Sequence, residues 1–77
     1  MEGEFMYTIY GKQDCIYCNM AKQLLEAKGL SYEYTDLASC DDETLFWFKS
    51  QNFKTVPQIY KGEDLIGGFD QLAQEKF

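Results

Sequence analysis

Histidine and arginine are both absent from this chain. Without imidazole there is no Cys–His dyad and no histidine ligand for zinc. Seven lysines stand against 13 acidic residues, for a net charge of −6, so the basic face that nucleic-acid binding needs is missing. One proline and six glycines exclude a fibrous or low-complexity chain. No apolar run approaches the roughly 20 residues that cross a membrane. Met1–Phe5 has neither the basic start nor the apolar core of a signal peptide. With only three cysteines, not all can pair within one chain, and a four-thiolate zinc site within it is excluded. The expectations are therefore no metal, no nucleic acid, no membrane and a reducing cytoplasmic location.

What the chain does hold is apolar and aromatic: 45% hydrophobic residues and 17% aromatic. A domain this small buries only roughly 60% of its unfolded surface, so large rings help to build its core. Residues 1–77 read as a single domain. The first five precede a second methionine, Met6, and read either as natural sequence or as an expression scar.

Met6–Tyr10 is rich in strand formers and stops at Gly11. Across Cys15–Lys28, Ile16, Met20, Ala21, Leu24 and Leu25 recur at helical spacing, with Gly29 as the stop. Leu30–Thr35 alternates Leu30, Tyr32 and Tyr34 with Ser31, Glu33 and Thr35, a strand pattern. The β–α–β crossover is long enough for a parallel pair. Ser39–Asp42 resembles a helix cap, with Asp42 and Glu43 favourable in the first turn of a helix running to about Ser50 and ended by Asn52. Leu45, Phe46 and Phe48 are expected to bury part of it, with Trp47 in its core or at its rim. Gln58–Tyr60 and Leu65–Ile66 flank Lys61–Asp64, a glycine-containing hairpin. Gly67 and Gly68 break the second of these strands, and Asp70 caps a last helix carrying Leu72, Ala73 and Phe77.

Cys15-Ile16-Tyr17-Cys18 lies where the first strand pattern gives way to the first helix. A thiol at a helix N-terminus faces unpaired N–H groups and the positive end of the dipole, which favours its thiolate. A second thiol one turn further on can attack a mixed disulfide formed at the first. In a chain of this kind the spacing reads as a redox motif rather than a structural one.

Cys15–Cys18, Lys54-Thr55-Val56-Pro57-Gln58 and Gly67-Gly68-Phe69-Asp70, in this order on this element pattern, resemble the glutaredoxin family over essentially all of Met6–Phe77. The Ile16-Tyr17 dipeptide and the small size resemble the dithiol glutaredoxins of large tailed bacteriophages. The resemblance implies an α/β, minimal thioredoxin-like fold: a four-stranded mixed sheet in order 2-1-3-4 with three helices on both faces. It implies a monomeric enzyme that reduces protein disulfides and glutathione mixed disulfides, with glutathione as co-substrate and ribonucleotide reductase among the partners such proteins serve.

The same resemblance assigns roles. Cys15 is the nucleophile, stabilised by the N–H groups of Tyr17 and Cys18; Lys12 assists and Asp14 opposes. Cys18 is the resolving thiol. Pro57 is expected to be cis and to face the cysteines, exposing the Val56 backbone to an extended peptide. Gly67 and Gly68 let a ligand approach, and the N–H groups of Phe69 and Asp70 meet its γ-glutamyl carboxylate, with Asp70 near its ammonium. Lys54 and Lys12 meet its glycyl carboxylate, and Thr55 and Tyr17 complete the groove. Ile16 replaces the proline common in the family, and Phe69 a common cysteine. Ile16 opens a second reading, a dimer holding a glutathione-ligated [2Fe–2S] cluster. A third is an electron donor coupled to thioredoxin reductase. Cys40 reads as a small residue near a cap, with regulatory oxidation or an intermolecular disulfide as the alternative.

Overall fold

The structure, a computed structural model, describes residues 6–53 and 55–75. Lys54 and Phe77 lie outside the described residues. The elements run β1 (Tyr7–Gly11), α1 (Ile16–Ala27), β2 (Tyr32–Asp36), α2 (Asp42–Ser50), β3 (Gln58–Lys61), β4 (Asp64–Gly67) and α3 (Phe69–Ala73). The sheet order is β2-β1-β3-β4. β1 pairs parallel with β2 and antiparallel with β3, and β4 closes the hairpin. This is the expected thioredoxin-like arrangement.

Strand alternation sorts the two faces. Tyr7 and Ile9 of β1 and Ile59 of β3 point one way and are buried with Ala21 and Leu25 of α1 and Leu72 of α3. Tyr10 and Tyr60 point the other way, against α2: their rings lie 5.3 and 5.7 Å from that of Trp47. Phe48 packs against Phe53 with tilted rings 5.0 Å apart and closes this second, aromatic layer. The helices therefore cover both faces of the sheet. Among the described residues no helix is long and apolar enough to cross a membrane.

Several boundaries differ from the sequence expectation, each for a local reason. β1 keeps Gly11, because Gly11 pairs with Asp36 and its carbonyl accepts the Leu37 N–H at 2.9 Å. Leu30 belongs to the end of α1 rather than to β2. Gly29 takes φ +71°, its N–H reaches the Glu26 carbonyl, and the Leu30 N–H reaches back to Leu25 at 3.0 Å. That pair of bonds is a Schellman cap. Asp41 caps α2 by accepting the Thr44 N–H at 2.8 Å, which lowers its carboxyl pKa. Asn52, at φ 60°, follows the last turn. Phe46 was expected to be buried with Phe48 but is 78% exposed. Two residues apart on a helix, the two rings point about 200° away from each other, and the sheet takes Phe48.

Tyr32 donates its hydroxyl to the Glu26 carboxylate, which raises its pKa from 10.0 to about 12. Burial raises those of Tyr10, Tyr34 and Tyr60 as well. The folded state thus holds these protons longer than the unfolded chain does. The contribution of Tyr32 is complete below its unfolded pKa of 10.0 and lost as pH rises toward about 12. The melting temperature should fall over that window, and Tyr32→Phe should make the fall shallower. A slope unchanged in Tyr32→Phe by circular dichroism would assign the effect elsewhere.

Candidate active site

The redox pair sits at the junction of β1 and α1. Cys15 is the N-cap of α1, in extended backbone, and the Cys18 N–H donates to Cys15 Sγ at 3.1 Å. The geometry puts the sulfur where a carboxylate or hydroxyl cap usually sits. Of the two amides expected to meet the sulfur, Cys18 supplies this bond. Cys15 and Cys18 are disulfide-bonded, with Cα atoms 5.1 Å apart. Their burial differs: Cys18 is fully buried, whereas Cys15 is half-buried at the rim. Only one of the two sulfurs can meet an incoming disulfide without the helix moving.

Gly11 makes the room for this. A Cβ at Gly11 would stand 2.6 Å from Cys18 Sγ and 2.6 Å from Tyr34 Oη. The strand end must be bare for Cys18 to tuck beneath it. Tyr34 is held there by donating to the Lys12 carbonyl at 2.8 Å, with the Lys22 ammonium 4.3 Å from its ring centroid.

Across from the cysteines, the Val56–Pro57 peptide bond is cis and Pro57 is buried. Cys15 Sγ lies 4.0 Å from the Val56 carbonyl oxygen. A cleft of about 530 Å³ opens beside this contact, lined by Tyr17, Thr55, Val56, Pro57, Gly68, Phe69 and Asp70 together with Gln58, Gly67 and Gln71. Eight of the residues singled out from the sequence, Gly67 among them, thus share one cavity. Lys12 lies apart from it, in a smaller depression of about 160 Å³ with Phe53, Thr55 and Val56. Thr55 and Val56 border both. The aromatic rim pairs Tyr17 with Phe69, ring centroids 6.1 Å apart.

Two cleft residues, Gln58 and Gln71, had been given no role from the sequence. Gln58 is buried, and its Nε2 donates to the Thr55 carbonyl at 2.9 Å, tying the loop before Pro57 to β3. The available signal was a polar residue directly after the proline in an apolar strand. Gln71 accepts the Gly68 N–H through Oε1 at 2.9 Å. Asp70, expected to cap α3, is therefore not its cap. Gly68 is the N-cap and Asp70 stands in the first turn, exposed at the cleft. The glutamine three residues after Gly68 has the spacing of a capping box, which was the legible clue.

Cys40 donates its thiol to the Leu37 carbonyl at 3.7 Å, away from the pair. Among the described residues, no three His, Cys, Asp or Glu side chains are arranged to hold a metal ion.

A four-stranded mixed sheet, a dithiol pair at the first helix and a cis-proline loop facing it define a thioredoxin-like dithiol redox protein. The glutaredoxin family model matches residues 7–66. Glutaredoxin 3 of Escherichia coli K12 is 38% identical over 64 residues, covering 83% of this chain and 77% of that protein. The holo form of glutaredoxin C1 from Populus tremula x tremuloides superposes with a TM-score of 0.76 at 30% identity, covering 91% of this chain and 66% of that one. The buckwheat glutaredoxin–glutathione complex gives 0.76 at 25% identity, with the same coverage. The chain belongs to the glutaredoxin family, a family of thiol–disulfide oxidoreductases.

Proposed function

We propose that this chain is a glutathione-dependent thiol–disulfide oxidoreductase, acting as a cytoplasmic monomer on glutathione mixed disulfides and on protein disulfides, ribonucleotide reductase among them. The carrying observation is the distribution of charge around the Cys15–Val56 contact. Among the described residues, Asp70 is the charged one lining the larger cleft and Lys12 the charged one lining the smaller, with Thr55 and Val56 bordering both. Glutathione is an extended tripeptide with an ammonium and a carboxylate at its γ-glutamyl end and a carboxylate at its glycyl end. Its cysteine pairs with the Val56 backbone by strand addition, which brings its sulfur to Cys15. The γ-glutamyl ammonium then meets Asp70 and the glycyl carboxylate meets Lys12. Tyr17, Gly68 and Phe69 form the wall. Lys54 joins Lys12 in the family pattern.

In the reduced protein the Cys15 thiolate attacks the glutathione sulfur of a mixed disulfide. The old S–S bond breaks, the substrate thiolate leaves and takes a proton from water, and glutathione stays on Cys15. A second glutathione thiolate attacks that glutathione sulfur, releasing oxidised glutathione and the Cys15 thiolate. With a protein disulfide, Cys15 attacks one substrate sulfur and Cys18 then attacks Cys15. This frees the substrate dithiol and leaves the Cys15–Cys18 disulfide, to which two glutathiones return the two electrons. The Cys18 N–H bonded to Cys15 Sγ is in place to support the negative charge at each return to thiolate.

Reduction of a small glutathione mixed disulfide, coupled to a glutathione reductase, tests the reading. Lys12→Met and Asp70→Asn should each raise KM for glutathione about three- to tenfold with kcat little changed, the signature of lost ground-state binding. Turnover with dithiothreitol but none with glutathione sinks the proposal.

A further inference from the structure

The resolving sulfur sits in a place unfavourable to charge. Cys18 is fully buried, yet it must become a thiolate to attack Cys15. A buried charge without a hydrogen-bond donor is costly. The N–H of Cys18 itself is committed to Cys15 Sγ at 3.1 Å. The charged groups on the surrounding elements are turned elsewhere. Lys22 of α1 stands 4.3 Å from the centroid of the Tyr34 ring. Asp36, at the end of β2, accepts the Ala38 N–H at 2.9 Å. Lys12 and Asp14 before α1, and Asp70 of α3, are exposed.

One neutral donor stands beside the sulfur. Tyr34 of β2 pairs with Ile9 of β1 and packs against the same core as α1. Its Oη and Cys18 Sγ each lie 2.6 Å from the point that a Cβ on Gly11 would take. The bare backbone of Gly11 thus makes the oxygen and the sulfur neighbours. A tyrosine hydroxyl is one donor that can rotate between partners. In the disulfide form it donates to the Lys12 carbonyl at 2.8 Å. Lys12 is exposed, so water can take over that carbonyl. Cys18 has no solvent to turn to.

We infer that the Tyr34 hydroxyl turns from the Lys12 carbonyl to Cys18 Sγ when the pair is reduced, and that it supports the Cys18 thiolate in the step that closes the disulfide. In that step the Cys18 thiolate attacks Cys15 Sγ. The bond from Cys15 to the substrate sulfur breaks, and its electron pair leaves on that sulfur. The proton lost by Cys18 is balanced by the one the leaving sulfur gains. Burial and Asp36 raise the Tyr34 pKa above 10.0, so the hydroxyl keeps its proton while a thiol titrates. The inference rests on the dithiol reaction proposed above and needs no glutathione.

Dithiobis(nitrobenzoate), whose thiolate absorbs visible light, times the closing step on its own. Protein carrying Cys40→Ser, reduced and freed of reductant, releases one coloured thiolate when Cys15 attacks and a second when Cys18 closes. The first release scales with reagent concentration and the second does not. Stopped flow follows the second rate from about pH 6 to about pH 10, with and without Tyr34→Phe. Loss of a hydrogen bond to the charged sulfur should move the pH midpoint of closing up by about one unit. A less stabilised thiolate is also a better nucleophile, by roughly half the shift. Below the midpoint Tyr34→Phe should therefore close about threefold more slowly, and above it about threefold faster. Phenylalanine keeps the ring beside Lys22 and adds no atom, so the packing is preserved. An unmoved midpoint, a fall by one factor at every pH, an equal fall in both releases, or a parent rate still rising at about pH 10 would each overturn the inference. Absence of the second release in the parent would overturn it together with the dithiol reaction. With no glutathione present, this outcome and that of the glutathione-coupled assay are read separately.

Discussion

Cys15→Ser should lower disulfide-exchange activity by more than about 10³-fold, to the level of the uncatalysed reaction. Cys18→Ser should keep glutathione mixed-disulfide reduction within about tenfold of the parent while losing reduction of protein disulfides. The argument is one of access and order. Cys15 is half-buried at the rim and 4.0 Å from the Val56 carbonyl, whereas Cys18 is fully buried beneath Gly11. Only Cys15 can receive an outside sulfur. Cys18 is needed only when the partner has a second sulfur to free, because a monothiol exchange returns Cys15 to its thiolate through a second small thiol. Mass spectrometry of Cys18→Ser after mixing with a mixed disulfide should find the adduct on Cys15. An adduct on Cys40, or a Cys15→Ser protein as active as Cys18→Ser, would reverse the assignment.

Gly11→Ala should destabilise the fold by about 1–3 kcal/mol, a melting temperature lower by about 5–20 °C for a domain of this size. The new methyl would stand 2.6 Å from both Cys18 Sγ and Tyr34 Oη and 3.2 Å from Cys18 Cβ. Neither neighbour yields easily. Cys18 is fully buried in α1 and disulfide-bonded, and Tyr34 is held by its hydrogen bond to Lys12. The strain comes from lack of space rather than from the backbone, since Gly11 does not sit at positive φ. Tyr34→Phe removes one of the two colliding atoms, so adding it to Gly11→Ala should recover part of the loss. A melting temperature for Gly11→Ala within about 2 °C of the parent would mean that α1 can shift freely over β1.

Much of this was legible in the chain, and the misses have local causes. Both termini of α1 could be read, because Gly29 announced the stop and Cys15 lay at the change of period. That Leu30 serves the cap was hidden by its fit to the alternating pattern of Leu30–Thr35. The two placements differ only in where the Leu30 N–H bonds. Phe46 and Phe48 are equally apolar, and composition does not say which of them the sheet will cover. Asp70 looked like a cap by residue type, but the glutamine three residues after Gly68 holds that amide instead.

By itself the sequence determined the redox pair at a helix start, the β-α-β-α-β-β-α order and the segments that would build a site, because these follow from local spacing, period and turn chemistry. Tertiary structure alone decided how Thr55–Pro57 and Gly68–Asp70 meet in one cleft and why Lys12 stands outside it. Those outcomes depend on segments from about 13 (Thr55 to Gly68) to about 53 (Tyr17 to Asp70) residues apart being folded onto the same end of a sheet, and no local pattern carries such distances.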